Sequence, residues 1–555
     1  MPLSLNELLD ATVNCGLVDA ATAAQIRGSA RRDAGDPVRT ISLLARIPSA
    51  AVMQAAASAR NLEYIAREQY RYARDLVQRL PSALVRRRLV LPIQEDRDSV
   101  LIAMGDPDGV ADLRLRETLQ RVFDKTVRFG LADAAELQRF IEQHDEVPVI
   151  AGAGVSVSAP DAGLRADDAV AFVNEIICEA FIRRASDIHL EPDATTFRVR
   201  MRIDGSLQIW RDRVPVSLAI AALSRLKVLA QMDIAESRES QDGSLVYELQ
   251  GAQAQKLDIR MATAPTKHGE RATLRLLGSD SKDLTLSDLG FSPDMHARFR
   301  ELIKRPSGLL LLTGPTGSGK STTLYAALRE INRPELNIMT VEDPVEYSIA
   351  GVSQLEVDQA GKVTFSSVLR SLLRHDPDVL MVGEIRDKET ADIALRAAMT
   401  GHLVFSTLHT STAVGTVTRL MDMQCDAYMI GATLTAAVSQ RLVRRLCPGC
   451  RTPREATAEE RQFLGVAAGA DAIQIHAPRG CLRCQNRGFS GRIALCEMFC
   501  VDDAARDAMC NGLPERAIAK ACTQLTTLRE DAIQKVLAGM TTIDEVRTAV
   551  LLEES

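Results

Sequence analysis

The chain has 555 residues, which predicts roughly three to four domains of about 100–200 residues each. Hydrophobic residues make up 46% and charged residues 25%, so collagenous and disordered classes are excluded. The 67 basic and 73 acidic residues give a net charge of −6, which argues against a dedicated nucleic-acid binder. No apolar run reaches the ~18 residues of a transmembrane helix, and the N-terminus lacks a signal-peptide pattern. We therefore expect a cytoplasmic protein whose membrane association is indirect.

Residues 1–145 combine helical periodicity with a mixed α/β stretch. Apolar residues recur at helical spacing over Leu5–Val13 and again over Leu43–Ala55. The segment Leu89–Met104 predicts two short strands around a charged turn. Because no motif in this part carries catalytic chemistry, we interpret it as a docking module.

A change of composition follows, and then a strand-rich segment. Residues 146–168 are rich in Ala, Gly, Ser, Pro and Val without periodicity, which predicts an interdomain linker. In Phe197–Ile203 apolar residues alternate with arginines, which predicts a half-buried strand with one basic face. The Asp-Gly pair after it predicts a tight hairpin turn. The same alternation surrounds Arg260 and Arg275. Such a row of arginines is usually solvated and becomes functional if an anion docks on it.

The most specific signal is GLLLLTGPTGSGKST, at Gly308–Thr322. An apolar run of strand length leads into G-x-x-x-x-G-K-[ST], and helical spacing follows. Glycines let backbone N–H groups surround a phosphate, and the next helix directs its positive end at the same charge. Lys320 would reach the β- and γ-phosphates of ATP, and the Ser321 hydroxyl would ligate Mg²⁺. With strand, loop and helix in order, a ligand-free glycine turn is a poor alternative. The predicted nucleotide-binding residues are Gly314, Pro315, Thr316, Gly317, Ser318, Gly319, Lys320, Ser321 and Thr322.

Two acidic clusters follow at the ends of predicted strands. The strand Ile338–Val341 leads into an acidic run that includes Glu346, and the strand Val379–Val382 leads into Glu384. Gly383 stands where many ATPases have the Mg²⁺-binding Asp, so Glu384 is the acid expected to hold Mg²⁺ through water or to orient the attacking water. That such acids only cap helices is plausible for one cluster but poor for both.

A further predicted strand, Leu403–Ser406, is bracketed by His402 and His409. A lone histidine is more often structural than catalytic. Two of the eight histidines at the ends of one strand, after two acidic strands, favour a γ-phosphate sensor or coupling element.

Four cysteines form two C-x-x-C pairs, Cys447 with Cys450 and Cys481 with Cys484. Together they can supply the tetrahedral S₄ shell that Zn²⁺ prefers. Redox use of one pair is the competing interpretation, but two pairs in a cytosolic chain favour metal. With four thiolates engaged no coordination position stays open, so the predicted zinc is structural.

Four strings in chain order, GPTGSGKST, TVEDPVEY, LLRHDPDVLMVGEIRD and GHLVFSTLHT, resemble the Walker A, Asp box, Walker B and His box of the secretion ATPase superfamily. Its members are hexameric RecA-like motors of type II secretion and type IV pilus assembly. The likeness runs from about Ala169 to the C-terminus and is weaker over the first 145 residues. The string TAVGTVTRLMDM is more similar to the type II secretion branch than to the pilus-extension branch.

The resemblance implies roles for individual residues. Glu346 would act as general base on the hydrolytic water, Glu384 would support Mg²⁺, and the His-box residue His409 would join the catalytic set. The family's phosphate-contacting arginines match Arg260, Arg275, Arg370 and Arg374. Two positions depart from the family pattern: Ser244 replaces an arginine and Ser240 a proline. Near the C-terminus, GRIALCE replaces a GRTGIYE-like run.

The resemblance also implies the architecture, the cofactors and the partners. The implied α/β fold class is a RecA-like P-loop ATPase domain (286–555) with a zinc-binding insert (about 447–484) and a helical C-terminal part, preceded by a PAS-like α/β domain (169–285) and an N-terminal helical/mixed docking domain (1–145). ATP, Mg²⁺ and Zn²⁺ are the expected cofactors. We expect a homohexamer, peripheral to the inner membrane, whose N-terminal domain binds inner-membrane secretion-platform proteins.

The expected function is that of the cytoplasmic ATPase motor of a type II secretion system, driving pseudopilus assembly and protein export across the outer membrane. One alternative is a type IV pilus assembly motor. A second is a scaffold that binds ATP but scarcely hydrolyses it, which the acidic strands disfavour. A third is a zinc-bearing nucleic-acid translocase, which the acidic balance opposes.

Overall fold

A computed structural model describes residues 4–29, 36–107, 109–145, 166–249, 255–277, 284–357, 364–465 and 473–554. The chain divides into two compact units, Met1–Leu276 and Leu277–Ser555. In the described part of the chain, no helix combines the length and apolar character needed to cross a membrane. Residues 146–165 of the predicted linker lie outside the described residues. Its last three residues belong to a helix that begins at Ala166.

The first unit contains ten α-helices and ten strands among its described residues. The helices are α1 (Leu5–Asn14), α2 (Ala20–Ser29), α3 (Pro37–Ala45), α4 (Ser49–Ala59), α5 (Arg74–Val77), α6 (Ser82–Arg87), α7 (Leu113–Phe123), α8 (Ala134–Asp145), α9 (Ala166–Ile182) and α10 (Val216–Leu229). The strands are β1 (Glu63–Tyr64), β2 (Val90–Glu95), β3 (Ser99–Met104), β4 (Thr126–Leu131), β5 (Ala185–Pro192), β6 (Phe197–Ile203), β7 (Ser206–Val214), β8 (Gln241–Leu249), β9 (Gln255–Thr266) and β10 (Gly269–Leu277).

The N-terminal half of this unit combines helices α1 to α8 with a four-stranded sheet of order β1-β4-β3-β2. The two strands expected within Leu89–Met104 are confirmed as the antiparallel pair β2 and β3. The apolar spacing over Leu43–Ala55 predicted one helix, but the segment is divided between two helices, α3 and α4. Arg46 adopts a left-handed conformation with φ 52°, and Pro48 precedes α4, so the chain turns between them.

The second half of the unit is a six-stranded sheet of order β7-β6-β5-β10-β9-β8. Along β6 each apolar residue is buried and each arginine is partly exposed, which confirms the predicted alternation. The Asp204-Gly205 turn has φ values of 50° and 86°, as the predicted hairpin requires. Buried residues of α9 and α10, such as Phe172 and Leu226, belong to the same core as the apolar face of the sheet. The arginine-bearing face is therefore left away from that core.

The second unit contains eleven α-helices and ten strands among its described residues. The helices are α11 (Pro293–Leu302), α12 (Lys320–Ile331), α13 (Phe365–Leu372), α14 (Lys388–Met399), α15 (Gly415–Asp422), α16 (Ala427–Thr433), α17 (Ala458–Phe463), α18 (Asp503–Cys510), α19 (Glu515–Ala521), α20 (Leu528–Leu537) and α21 (Ile543–Glu554). The strands are β11 (Gly308–Thr313), β12 (Ile338–Glu342), β13 (Ser353–Glu356), β14 (Val379–Val382), β15 (Leu403–Thr407), β16 (Leu434–Leu446), β17 (Thr452–Glu455), β18 (Gln474–Ala477), β19 (Phe489–Cys500) and β20 (Leu525–Thr526).

Eight of these strands form one sheet of order β13-β12-β14-β15-β11-β16-β19-β20. The strands from β13 to β16 are parallel, and β19 and β20 add antiparallel neighbours. All six residues of β11 are buried, because Leu309 and Leu311 enter the core on one face while Leu310 and Leu312 enter the core on the other. A strand covered on both faces reads as a continuous apolar run.

Candidate active site and metal centre

The loop between β11 and α12 has the backbone of a phosphate-binding loop. Gly317 has φ 77° and Gly319 has φ 92°, values that favour glycine. A Cβ atom at Gly317 would meet no atom within 4 Å, so this part of the loop faces open space. Helix α12 begins directly at Lys320, and no side chain caps its first turn at Gly319. The exposed N–H groups of the helix are thus available to an anion.

Two side chains of this loop fit a phosphate ligand. The Lys320 ammonium donates hydrogen bonds to the carbonyl oxygens of Gly314 at 2.8 Å and Pro315 at 3.1 Å, so it lies over the loop. Burial lowers the pKa of Lys320, the Arg441 cation acts in the same direction, and Glu384 opposes both. The Ser318 hydroxyl is buried and has no hydrogen-bond partner among the described residues. The loop therefore offers a partly desolvated cation and free donors to a nucleotide.

The two glutamates at the end of β12 differ in their surroundings. Glu342 is buried and its carboxylate accepts hydrogen bonds from Tyr325, from Thr340 at 2.6 Å and from Gln354 at 3.1 Å. Glu346 is exposed, and only its backbone N–H is tied, to the Tyr325 hydroxyl at 3.2 Å. Among the described residues, the Glu346 carboxylate has no hydrogen-bond or ion-pair partner. A carboxylate left in this state is available to a water molecule, whereas that of Glu342 is structural.

Glu384, directly after β14, lies at the centre of a charged cluster. One carboxylate oxygen is paired with Arg386, and the other lies 3.5 Å from Nε2 of His409. Arg386 also lies 3.7 Å from a carboxylate oxygen of Asp343, at the end of β12. Parallel strands bring their carboxyl ends to one edge of a sheet, which places these groups beside the loop after β11. Glu384 also interacts electrostatically with Lys320, where it opposes the lowering of the Lys320 pKa by burial.

The two histidines around β15 have different surroundings. The His402 ring contacts the carbonyl oxygen of Ala397 at 2.9 Å, near the C-terminal end of α14. The side chain of His409 is 53% exposed and reaches Glu384. Of the two, His409 alone contacts the charged cluster.

Asp387 caps α14 by accepting from Thr390 N–H at 2.8 Å, so one acid of the second cluster does have the capping role.

The four arginines implied by the family pattern lie on different elements. In the first unit, Arg275 donates to a carboxylate oxygen of Asp187 at 3.0 Å and its side chain is 68% exposed. Arg260 is partly exposed on β9 and lies opposite Ser244 of β8. In the second unit, two positions lie near the end of α13. Arg370 is paired with Glu389, and Arg374 donates to the carbonyl oxygen of Arg370 at 3.1 Å.

The four predicted zinc ligands come together. The Sγ atoms of Cys447 and Cys481 are 3.8 Å apart, and those of Cys450 and Cys484 are 3.7 Å apart. All four sulfur atoms lie within 4.8 Å of one another. A tetrahedral site with Zn–S bonds of about 2.3 Å separates its sulfur atoms by about 3.8 Å, so the arrangement fits Zn²⁺. The N–H of Gly488 donates to Sγ of Cys484 at 3.2 Å, a contact that favours a thiolate.

Three residues of the site escaped prediction from sequence. Arg386 pairs with Glu384, and its position two residues later in the same string was the available signal. The Tyr325 hydroxyl joins α12 to the carboxylate of Glu342 and to the backbone N–H of Glu346, a role that helical spacing does not predict. Arg441 lies on β16 near Lys320 and reads in sequence as one arginine of a basic run.

A phosphate-binding loop after a central parallel strand, with carboxylates at the ends of neighbouring strands, defines a RecA-like P-loop ATPase. Family comparison makes the class specific: the model described as "Type II/IV secretion system protein" matches residues 165–548. The chain belongs to the type II/IV secretion system protein family. A second model, the MshEN domain, matches residues 60–149.

Relatives agree with this family, and a solved structure agrees with the fold. The chain is 45% identical over 385 residues to the type II secretion system ATPase E of Vibrio cholerae, covering 68% of this chain and 75% of that protein. It is 36% identical over 494 residues to the type IV pilus assembly ATPase PilB of Myxococcus xanthus, covering 85% and 86%. The Legionella pneumophila ATPase DotB has a TM-score of 0.52 at 21% identity, covering 69% of this chain and 95% of that chain. This last likeness supports the fold alone.

Proposed function

We propose that the protein is the ATPase motor of a type II secretion system, hydrolysing ATP to drive pseudopilus assembly and protein export across the outer membrane. The observation that carries the proposal is the phosphate loop facing Glu384 and its charged partners. Higher identity to a type II ATPase than to the pilus ATPase PilB favours secretion over pilus assembly, which is the second candidate.

In this proposal, separate residues bind the phosphates, hold the metal ion and accept the proton of the attacking water. Lys320 and the backbone of Gly314–Thr322 bind the phosphates. Ser321 together with Glu384 would hold Mg²⁺, which would neutralise charge on the phosphate oxygens. Glu346, whose carboxylate is exposed and unpaired among the described residues, accepts a proton from the attacking water. His409 contacts the Glu384 carboxylate and acts as the coupling element between that carboxylate and the sheet.

Assembly into a homohexamer supplies the remaining cations in this proposal. Arg260 and Arg275, on the sheet of the first unit, are assigned to the charge that develops on the γ-phosphate. Arg370 and Arg374 contribute cations from the end of α13. The N-terminal docking domain, with its MshEN match, binds an inner-membrane partner, so the protein works in the cytoplasm at the periphery of that membrane.

Replacing Arg260 or Arg275 by alanine is expected to lower kcat far more than ATP affinity, because arginines delivered to the γ-phosphate act mainly in the transition state. Arg198→Ala is the matched control, since Arg198 belongs to the same sheet and pairs with Asp212.

Specific activity of the wild type should rise with protein concentration, because the proposed active form is a hexameric ring. Flat specific activity at concentrations where sizing detects only monomer would contradict the ring.

The choice between secretion and pilus assembly is tested in the organism of origin. A chromosomal Lys320→Ala variant should retain proteins destined for export in the periplasm, while surface pili remain. Immunoblots of periplasm and medium, with electron microscopy of pili, measure both outcomes. Loss of pili with normal export would instead support the pilus motor.

A further inference from the structure

A turn directly after the His box is held by side chains from other elements. It comprises Thr410–Val414, and we call it the post-histidine turn. At its start, the Thr410 N–H donates to the hydroxyl of Thr313, the last residue of β11, at 2.7 Å. Further along, the Ala413 N–H donates to the carboxylate of Glu497 on β19 at 2.6 Å. The turn is thus bonded at both ends to strands of the same sheet.

Arg441 holds the middle of the turn. Its guanidinium donates to the carbonyl oxygen of Ser411 at 3.3 Å, and the Ser439 hydroxyl donates to the same oxygen at 2.9 Å. Arg441 is only 9% exposed, and its Nε–H has no hydrogen-bond partner in the described part of the chain. A cation this buried requires compensating negative charge nearby.

Glu497 places a carboxylate on the neighbouring strand β19, opposite Ser439 of β16. Burial raises the pKa of Glu497, and the nearby Glu515 acts in the same direction. The backbone N–H groups of Ala413 and Val414 and the Arg441 cation oppose this rise. Arg441 and Glu497 therefore both bond to the turn, and the Arg441 cation opposes the rise in the pKa of Glu497.

The strand that carries Arg441 also borders the phosphate loop. In the sheet register Ser439 lies opposite Thr313, so β16 continues past the end of β11 alongside the loop. A Cβ atom on Gly314 would lie 2.4 Å from the carbonyl oxygen of Gln440. Arg441 thus connects the edge of the phosphate loop to the turn that follows the His box.

We propose that Arg441 and Glu497 are positioning residues for ATP hydrolysis, holding the post-histidine turn so that His409 meets Glu384. The inference rests on the proposed role of Glu384 in hydrolysis. His409 immediately precedes the turn, and its Nε2 atom lies 3.5 Å from the Glu384 carboxylate. Release of the turn displaces His409 from Glu384, while Lys320 stays anchored to its own loop.

The test compares steady-state ATP hydrolysis by the full-length variants Arg441→Met and Glu497→Gln. We expect kcat to fall by about 10²-fold, the effect of a misplacement of about 1 Å near a reacting centre. KM for ATP should change by less than about threefold, because Lys320 and the loop backbone, which bind the ground-state phosphates, are not replaced. Arg444→Met is the matched control: Arg444 lies on the same strand but pairs with Glu545, and its kcat should equal that of the wild type.

Further variants separate positioning from general support of the fold. Arg441→Lys keeps a cation near the turn and should recover part of the lost kcat. If Arg441→Met fails to fold, Glu497→Gln carries the test, because glutamine fills the same space but accepts from the Ala413 N–H more weakly than a carboxylate does. Wild-type kcat in both Arg441→Met and Glu497→Gln, with Glu384→Gln impaired, would overturn the inference alone. Wild-type kcat in Glu384→Gln would instead overturn the proposed function.

Discussion

Replacing Lys320 by alanine is expected to abolish ATP hydrolysis, with kcat/KM falling by about 10³-fold or more. Lys320 is the cation that lies directly on the phosphate loop, bonded to the carbonyl oxygens of Gly314 and Pro315. Arg441, the cation that acts on Lys320 from strand β16, donates instead to the carbonyl oxygen of Ser411. Phosphate release from purified protein, measured beside nucleotide binding, gives both parts of the effect.

Lys388→Ala is the matched control for this variant. Lys388 is the first residue of α14, as Lys320 is of α12, but its ammonium contacts the side chain of Gln424 at 3.4 Å. Hydrolysis by Lys388→Ala should equal that of the wild type. Hydrolysis at the wild-type rate by Lys320→Ala would remove the phosphate-loop assignment.

Replacing Cys447 or Cys484 by serine is expected to release zinc and to lower the unfolding temperature of the second unit. Both residues are fully buried, so each variant leaves an incomplete ligand shell in the interior. Each kcal/mol of lost stability lowers the unfolding temperature of a unit of this size by roughly 2–4 °C. ATPase activity should fall only secondarily, because four thiolates leave no coordination position for a reaction. Metal analysis and thermal unfolding measure the two effects.

The same predictions hold for Cys450→Ser and Cys481→Ser, since their sulfur atoms complete the tetrad. Cys510→Ser is the control, because Cys510 is a partly exposed cysteine outside the tetrad. It should leave zinc content and unfolding temperature unchanged. A wild-type protein that is reduced, stable and free of zinc would contradict the metal site.

Local features of the fold were predictable because they depend on neighbouring residues. The apolar run of β11 and the alternation along β6 follow from burial on two faces and on one face. The break between α3 and α4 was missed because apolar spacing continues across it, while Arg46 adopts the left-handed conformation that interrupts the helix. The pairing of β16 with β19 depends on contacts across the zinc-binding segment, which no local pattern reveals.

The candidate site was predictable where a motif carries it. Lys320 and Glu384 follow buried strands, and parallel strands bring both to one edge of the sheet. Arg441 was not predictable, because arginines are common and only the register of β16 beside β11 places this one near the phosphate loop. The contrast between Glu342 and Glu346 also required the structure, because both acids belong to the same short string and only burial distinguishes them.

Glu346, which follows β12, and Glu384, which follows β14, are central to the proposed ATP hydrolysis at the phosphate loop. Single-turnover hydrolysis by the full-length wild type and by the Glu346→Gln, Glu384→Gln double variant tests this role most directly. The wild type should hydrolyse bound ATP. The double variant should bind ATP but hydrolyse it about 10²–10⁴-fold more slowly, which is the usual contribution of a positioned acid–base group. Hydrolysis by the double variant at the wild-type rate would contradict the account.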